Sequence, residues 1–189
     1  MASYDVNLGL GLSTGMLYTA TAGTSLPTTP SAAITSGWSK VGDVTDAGIT
    51  LGLSKSVTNL KNWANEIKRA IMTEHVETIQ SPLMDTTEDS LKFCMGAENV
   101  TVTAAGNNHG KIVSVDLSAD DLPAPKAYLW VMKDGDDMIM VGCSKGQITA
   151  VENVAFSPTA AINWTPTITA LDGTMKFIVE KGATGSTGS

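Results

Sequence analysis

The chain is short of charge. Only 16% of its 189 residues are Asp, Glu, Lys or Arg, and just twelve of these are basic, which leaves a formal net charge of −7. Gripping nucleic acid takes clustered Lys and Arg, so this balance speaks against a DNA- or RNA-binding role. Cysteine is scarce as well. Cys94 and Cys143 are too few for a disulfide framework and read as reduced, small core residues. The longest apolar run, "AYLWVM", falls far short of a membrane span, so no membrane partner is expected. The opening "MASYDVNLGLG" has neither a basic leader nor an apolar stretch, so no secretory signal is expected.

The residues of chemistry are equally thin. His109 sits in the turn-like "AGNNHG" and reads as a solvated loop residue. His75 stands between Glu74 and Glu77 without further ligands at metal spacing. No nucleophile motif supports a Ser/His/Asp arrangement. "GLGLSTG" has the spacing G-x-G-x-x-x-G, with no strand before it and a β-like stretch after it, which excludes a phosphate-binding glycine loop. "DGDD" at 134–137 lacks the EF-hand ligand pattern and reads as a hairpin turn. Trp38, Trp63, Trp130 and Trp164 are dispersed, with no basic patch to make them a base-stacking platform, and read as core or interface packing. No catalytic residue, metal site or cofactor is expected.

What is present is enough apolar residue, 42%, for one folded domain over 1–181. Residues 1–35 are rich in Gly, Ser, Thr, Ala and Pro. They read as an extended arm with one short strand, "MLYTAT", and "GATGSTGS" at 182–189 reads as a flexible tail. The C-terminal half carries three hairpin patterns: "NVTVTA-AGNNHG-KIVSVDL", "AYLWVMK-DGDD-MIMVG" and "TPTITA-LDG-TMKFIVE". A further strand, "QITAVENVAF", lies between the last two. Regular short strands of this kind predict a mainly β fold, a sandwich or half-barrel. One flanking helix is predicted at about 86–95. Asp85 or Thr86 would cap it, Glu88 and Asp89 complement its dipole, Leu91 and Met95 share a face, and Gly96 ends it.

"NWANEIKRAIMTEHVETIQ", Asn62 to Gln80, is ambiguous. Leu60, Trp63, Ile67 and Ile71 make a helical stripe, but Glu74, His75 and Thr78 break it, and the second half is β-branched. As a strand it mixes polar and apolar residues on both faces, which fits a strand covered by different neighbours on different sides. Local pattern leaves the two readings even. The alternating "DAGITLGLS" before it, with Ile49, Leu51 and Leu53 on one side, supplies a pairing partner and tips the balance to strand. The aliphatics Ile49, Leu51 and Leu53 suit either core or interface.

The ordered set of features resembles the major tail tube proteins of long-tailed, non-contractile bacteriophages. It comprises an arm with "GTSLPTT", then "WSKVGDVTDAGITL", the connection "SKSVTNLKNWANE" ending at Trp63, a long Thr- and Glu-rich strand "RAIMTEHVETIQSPLMD", and the helix "TEDSLKFCMGA". The match is good over Thr14 to Ala97 and looser to Lys181. The resemblance implies subunits that self-assemble into stacked, hexameric rings, their strands joining into an inner tube barrel through which DNA passes during ejection without specific binding. It implies tape measure, tail-tip and terminator proteins as partners, and a place in the virion after synthesis in the host cytoplasm. Candidate interface residues are Ile49, Leu51, Leu53, Ile67, Ile71 and Val76; candidate lumen-facing acids are Glu66, Glu74 and Glu77. Six copies would carry about −42 formal charges, six times −7, so DNA would meet like charge. The basic pair Lys68-Arg69 departs from that scheme and suits pairing with acids of a neighbouring subunit. The arm 1–35 and a loop around Ser54 to Leu60 are expected to be disordered in a free copy and to order on assembly. A β-sandwich adhesion or carbohydrate-binding module is the alternative. It accounts for the hairpins and scarce charge, but less well for the missing export signal and the long two-faced strand.

Overall fold

The computed structural model describes residues 10–11, 17–32, 37–118, 121–171 and 173–182. The protein is mainly antiparallel β with one α-helix, consistent with an open sandwich, and its sheets do not close into a barrel. In chain order, β1 is Leu10–Gly11, β2 Leu17–Thr21, β3 Ser39–Lys40, β4 Thr50–Lys61 and β5 Ile67–Gln80. The helix α1, Glu88–Met95, and a 3-10 turn at Ala97–Asn99 follow. Then come β6 (Val100–Thr103), β7 (Ile112–Val115), β8 (Lys126–Asp134), β9 (Asp137–Val151), β10 (Pro166–Ala170) and β11 (Lys176–Glu180). The main sheet runs β3-β2-β8-β9-β10-β5-β4, and β6 and β7 form a separate hairpin.

The centre of the sheet is β8 and β9. "AYLWVM" is apolar throughout because both faces of β8 are covered. Tyr128, Trp130 and Met132 join the larger core with Leu17, Ile79, Leu83, Phe93 and Ile168, while Leu129 and Val131 join Met140 in a smaller cluster on the other face. The large core holds one buried polar pair: the Trp130 indole donates to Ser81 Oγ at 3.1 Å, both residues being fully buried. The β8–β9 turn has Gly135 at φ 58°, the left-handed conformation that the Asp134-Gly135 signal predicts.

Four expectations are corrected. The helix is capped by Thr87, not Asp85 or Thr86. Thr87 Oγ1 accepts from Ser90 N–H and Ser90 Oγ from Thr87 N–H, a reciprocal capping box, while the Asp85 carboxylate is engaged by Asp43 N–H. The third hairpin does not form. β10 and β11 both run antiparallel to β9, β10 along Gly146–Val151 and β11 along Met138–Gly142, end to end on one edge. The turn signal at Gly173 (φ 59°) thus marks a jog in the chain and not a reversal. "QITAV" is no separate strand but the far end of β9, which runs unbroken for 15 residues. Finally, Ser54–Leu60 is not a loop: it lies within β4. Of "GLGLSTG" only Leu10 and Gly11 are described, paired with Lys133 and Met132 of β8; most of the arm before Leu17, residues 33–36, and the tail from 183 lie outside the described residues.

Candidate assembly surface

The disputed segment is a strand. β4 and β5 pair from Thr50↔Gln80 to Lys61↔Ile67, one long hairpin. Only its base is held by the body: β10 pairs with Thr78, Ile79 and Gln80 and with no earlier residue of β5. From Glu77 to Ile67 the hairpin therefore projects, roughly 33 Å at 3.3 Å per residue.

The register explains the mixed faces. β4 alternates strictly, but the register of β5 shifts between Ser56/Val57 and again between Leu60/Lys61, leaving Thr73 and Lys68 without direct partners. Each bulge inverts the side to which the following β5 residues point. Residues directly opposite share a face, so one face carries Leu51, Leu53, Lys55, Val57, Asn59 and Lys61 with Ile79, Glu77, His75, Met72, Ala70 and Ile67. The opposite face carries Thr50, Gly52, Ser54, Ser56, Thr58 and Leu60 with Gln80, Thr78, Val76, Glu74, Ile71 and Arg69. A Ser56 hydroxyl bond to Glu74, at 3.3 Å, lies across this second face.

The first face is an apolar ribbon continuous with the core. It starts at fully buried Ile79 and runs outward through Leu51 to Leu53 (63% exposed), Val57, Met72 and Ile67, all uncovered. Lys55, His75 and Asn59 stand between these aliphatics, but so many exposed apolar side chains on one projecting face mark an interaction site. The outer edge of β4, which no described strand covers, offers unpaired backbone groups beside it.

Among the sequence candidates, Ile49 precedes β4 and packs half-buried on the large core. Leu51, Leu53 and Ile67 fall on the apolar ribbon; Ile71 and Val76 fall on the opposite face. The three acids do not share a site. Glu66 is in the hairpin turn, bonded to Asn62 and to Lys68 at 2.6 Å, which holds its carboxyl below the usual range, Lys68 contributing most. Glu74 is on the Ser/Thr face. Glu77 is at the base, its side chain 13% exposed and taken by Met175 N–H and His75. Sequence reasoning missed Val57 and Met72, whose place on the ribbon depends on a bulge that no local pattern announces. Among the described residues no cluster of His, Cys, Asp or Glu could hold a metal ion.

An open β body with an uncovered apolar hairpin has the build of a structural subunit. The comparisons give it a family: the chain belongs to the phage tail tube proteins, whose family model matches residues 10–180. Its place is the virion, in the phage tail. No curated protein matches the chain. Among solved structures, the anti-feeding prophage cap, a tube-terminating cap, is similar at 9% identity, covering 96% of this chain and 99% of that one, with a TM-score of 0.44, too loose a fit to bear on function.

Proposed function

We propose that copies of this chain join through the β4–β5 hairpin into rings, six to a ring, that stack into a hollow tube through which DNA passes during ejection. The observation that carries this reading is the apolar ribbon: its burial calls for a large partner surface, and a second copy supplies one in a protein of this family. Ile67, Leu51 and Leu53 then face a neighbouring copy, and the free edge of β4 continues the sheet from one copy into the next; Ile71 and Val76, on the opposite face, fall outside that contact. The hydroxyl-rich face, with Ser54, Ser56, Thr58 and Thr78 around Glu74, turns toward the bore, where it offers DNA one acid and no basic grip near the hairpin base. Glu77, already engaged, is left out of that lining, and Glu66 stays at the hairpin tip. The role is structural, without catalysis. Tape measure, tail-tip and terminator proteins are its partners along and at the ends of the tube.

Electron microscopy of the concentrated protein, alongside light scattering, tests the reading. Hollow tubes or rings of uniform width are the expected result, directly or after seeding with tail-tip complexes. A chain that stays near 20 kDa even when seeded would refute it and direct attention to glycan binding.

A further inference from the structure

The hairpin turn, Asn62 to Glu66, is built with more hydrogen bonds than chain reversal requires. Asn62 Oδ1 accepts from Glu66 N–H and Asn62 Nδ2 donates to Glu66 Oε2, both at 2.9 Å; Lys61 Nζ donates to Asn65 Oδ1 at 3.0 Å. Asn65 adopts φ 62°, the left-handed conformation Asn tolerates best after Gly. Within this turn Trp63 is fully exposed, at 106%, so its side chain is not buried by its own copy. The same end of the hairpin carries Lys61, bonded to Asn65, Lys68, paired with Glu66, and Arg69, the chain's only arginine. Arg69 makes no ion pair with a described residue, and the tip is basic in a chain of net charge −7.

At the opposite end of the body is a surface of complementary character. A cleft of about 240 Å³ lies between the end of α1, residues 116–117 and 121–123, and the last residues of β9, with an apolar lining of Met95, Leu117, Leu122, Pro123 and Ile148. Asp116 and Asp121 stand in the same lining, and Leu117 and Leu122 are 76% and 52% exposed.

The register fixes how tip and cleft relate. Gln80 at the hairpin base is opposite Thr167, and Thr167 is opposite Ala150 beside the cleft. The cleft is thus level with the base of the hairpin, and the tip lies one strand further along, roughly 45 Å for fourteen residues at 3.3 Å each. Hairpin and cleft of one copy cannot meet. A second copy displaced by about one hairpin length along the strand direction brings its cleft to the first copy's tip.

We infer that Trp63 is the anchor by which each copy plugs head-to-tail into the next, its indole seated in the cleft beside Met95, Leu122 and Ile148, with Arg69 meeting Asp116 and Asp121. This rests on the self-assembly reading above and names the contact through which it is propagated. Exposed Trp and Arg are the residue types that dominate association energies when a partner's pocket covers them. A tip-to-cleft contact is heterologous and leaves a free tip and a free cleft at every stage, so along this axis it extends without closing.

The test uses the full chain in three forms: unaltered, Trp63→Ala, and a mixture of Trp63→Cys with Leu122→Cys. Because Trp63 is fully exposed in its own copy, Trp63→Ala should keep the melting temperature of the free protein. Its tube formation should need at least a tenfold higher concentration. The mixed cysteine variants should form a disulfide-linked dimer on mild oxidation of the assembled material. Tube formation by Trp63→Ala at the unaltered concentration, or assembled material without the cross-link, would overturn the anchor while leaving the tube reading standing. Failure of the unaltered chain to assemble, seeded or not, would remove both.

Discussion

Leu53 separates folding from assembly. It is 63% exposed on the apolar ribbon and sits opposite Glu77, where the hairpin leaves the body. Leu53→Thr keeps a good strand former at the position, so hairpin and register persist. Because little of the side chain is buried in the free copy, the substitution should change its stability by no more than about 0.5 kcal/mol. In the assembled state the exposed part of Leu53 is covered. Full burial of a leucine side chain is worth about 1.5–3 kcal/mol; the uncovered share of it, less the methyl that threonine retains, comes to about 1 kcal/mol per copy, or about fivefold in an association constant. The assay is the concentration at which tubes first pellet, measured beside urea denaturation of the unassembled protein. The expected pattern is a severalfold rise in that concentration with an unchanged denaturation midpoint. An unchanged assembly threshold would refute burial of the ribbon by a neighbour. A large loss of monomer stability would refute its exposure.

Two further outcomes follow from the body of the protein. Ser81→Ala removes the acceptor of the Trp130 indole inside the large core, leaving a buried N–H unpaired, and should destabilise the fold by about 1–3 kcal/mol in urea denaturation; no change would mean that another group takes the bond. Glu88 bridges Lys111 and Lys92, whose ammonium groups, Lys111 first, draw its carboxyl from 4.5 down to about 2. Its folded-state value lies below the unfolded one, so its contribution is present above about pH 4.5 and fades as pH falls toward 2. A Glu88→Gln variant should lose less stability across that window than the unaltered protein, and parallel acid-denaturation curves would refute the assignment.

The parts legible in the sequence are those fixed by local chemistry. Thr and Val at the β6–β7 hairpin, Asp134-Gly135 at the β8–β9 turn, the acids of the first turn of α1 and the Gly96 stop all act within a few residues of chain. The helix cap went astray by one or two positions because Asp85, Thr86 and Thr87 all qualify by type. What selects Thr87 is the reciprocal bond from Ser90, and what removes Asp85 is its engagement by Asp43, more than forty residues away. The β10–β11 pair misled for a different reason. Two strands joined by a turn signal usually pair with each other, but β9 is long enough to take both along one edge. On β5, strict alternation predicted two mixed faces; the bulges at Thr73 and Lys68 bring Met72, Ala70 and Ile67 onto the side of Leu51, Leu53 and Val57, and leave most of the hydroxyls on the other, though both faces keep polar and apolar members. Bulges are properties of a pair of strands, so a reading of one strand at a time does not find them.

The two thiols of the core have a meaning for life outside a cell. A particle released into aerated water has no glutathione, no thioredoxin and no repair. Oxidation attacks the thiolate, and burial raises Cys94 to about 12 and Cys143 to about 11, so neither ionises at environmental pH. Both side chains are closed off among Tyr128, Phe93 and Ile148 as free thiols. The two thiols thus give oxidant no foothold while the particle waits for a host; the sulfurs that solvent does reach are the thioethers of exposed Met72 and Met84.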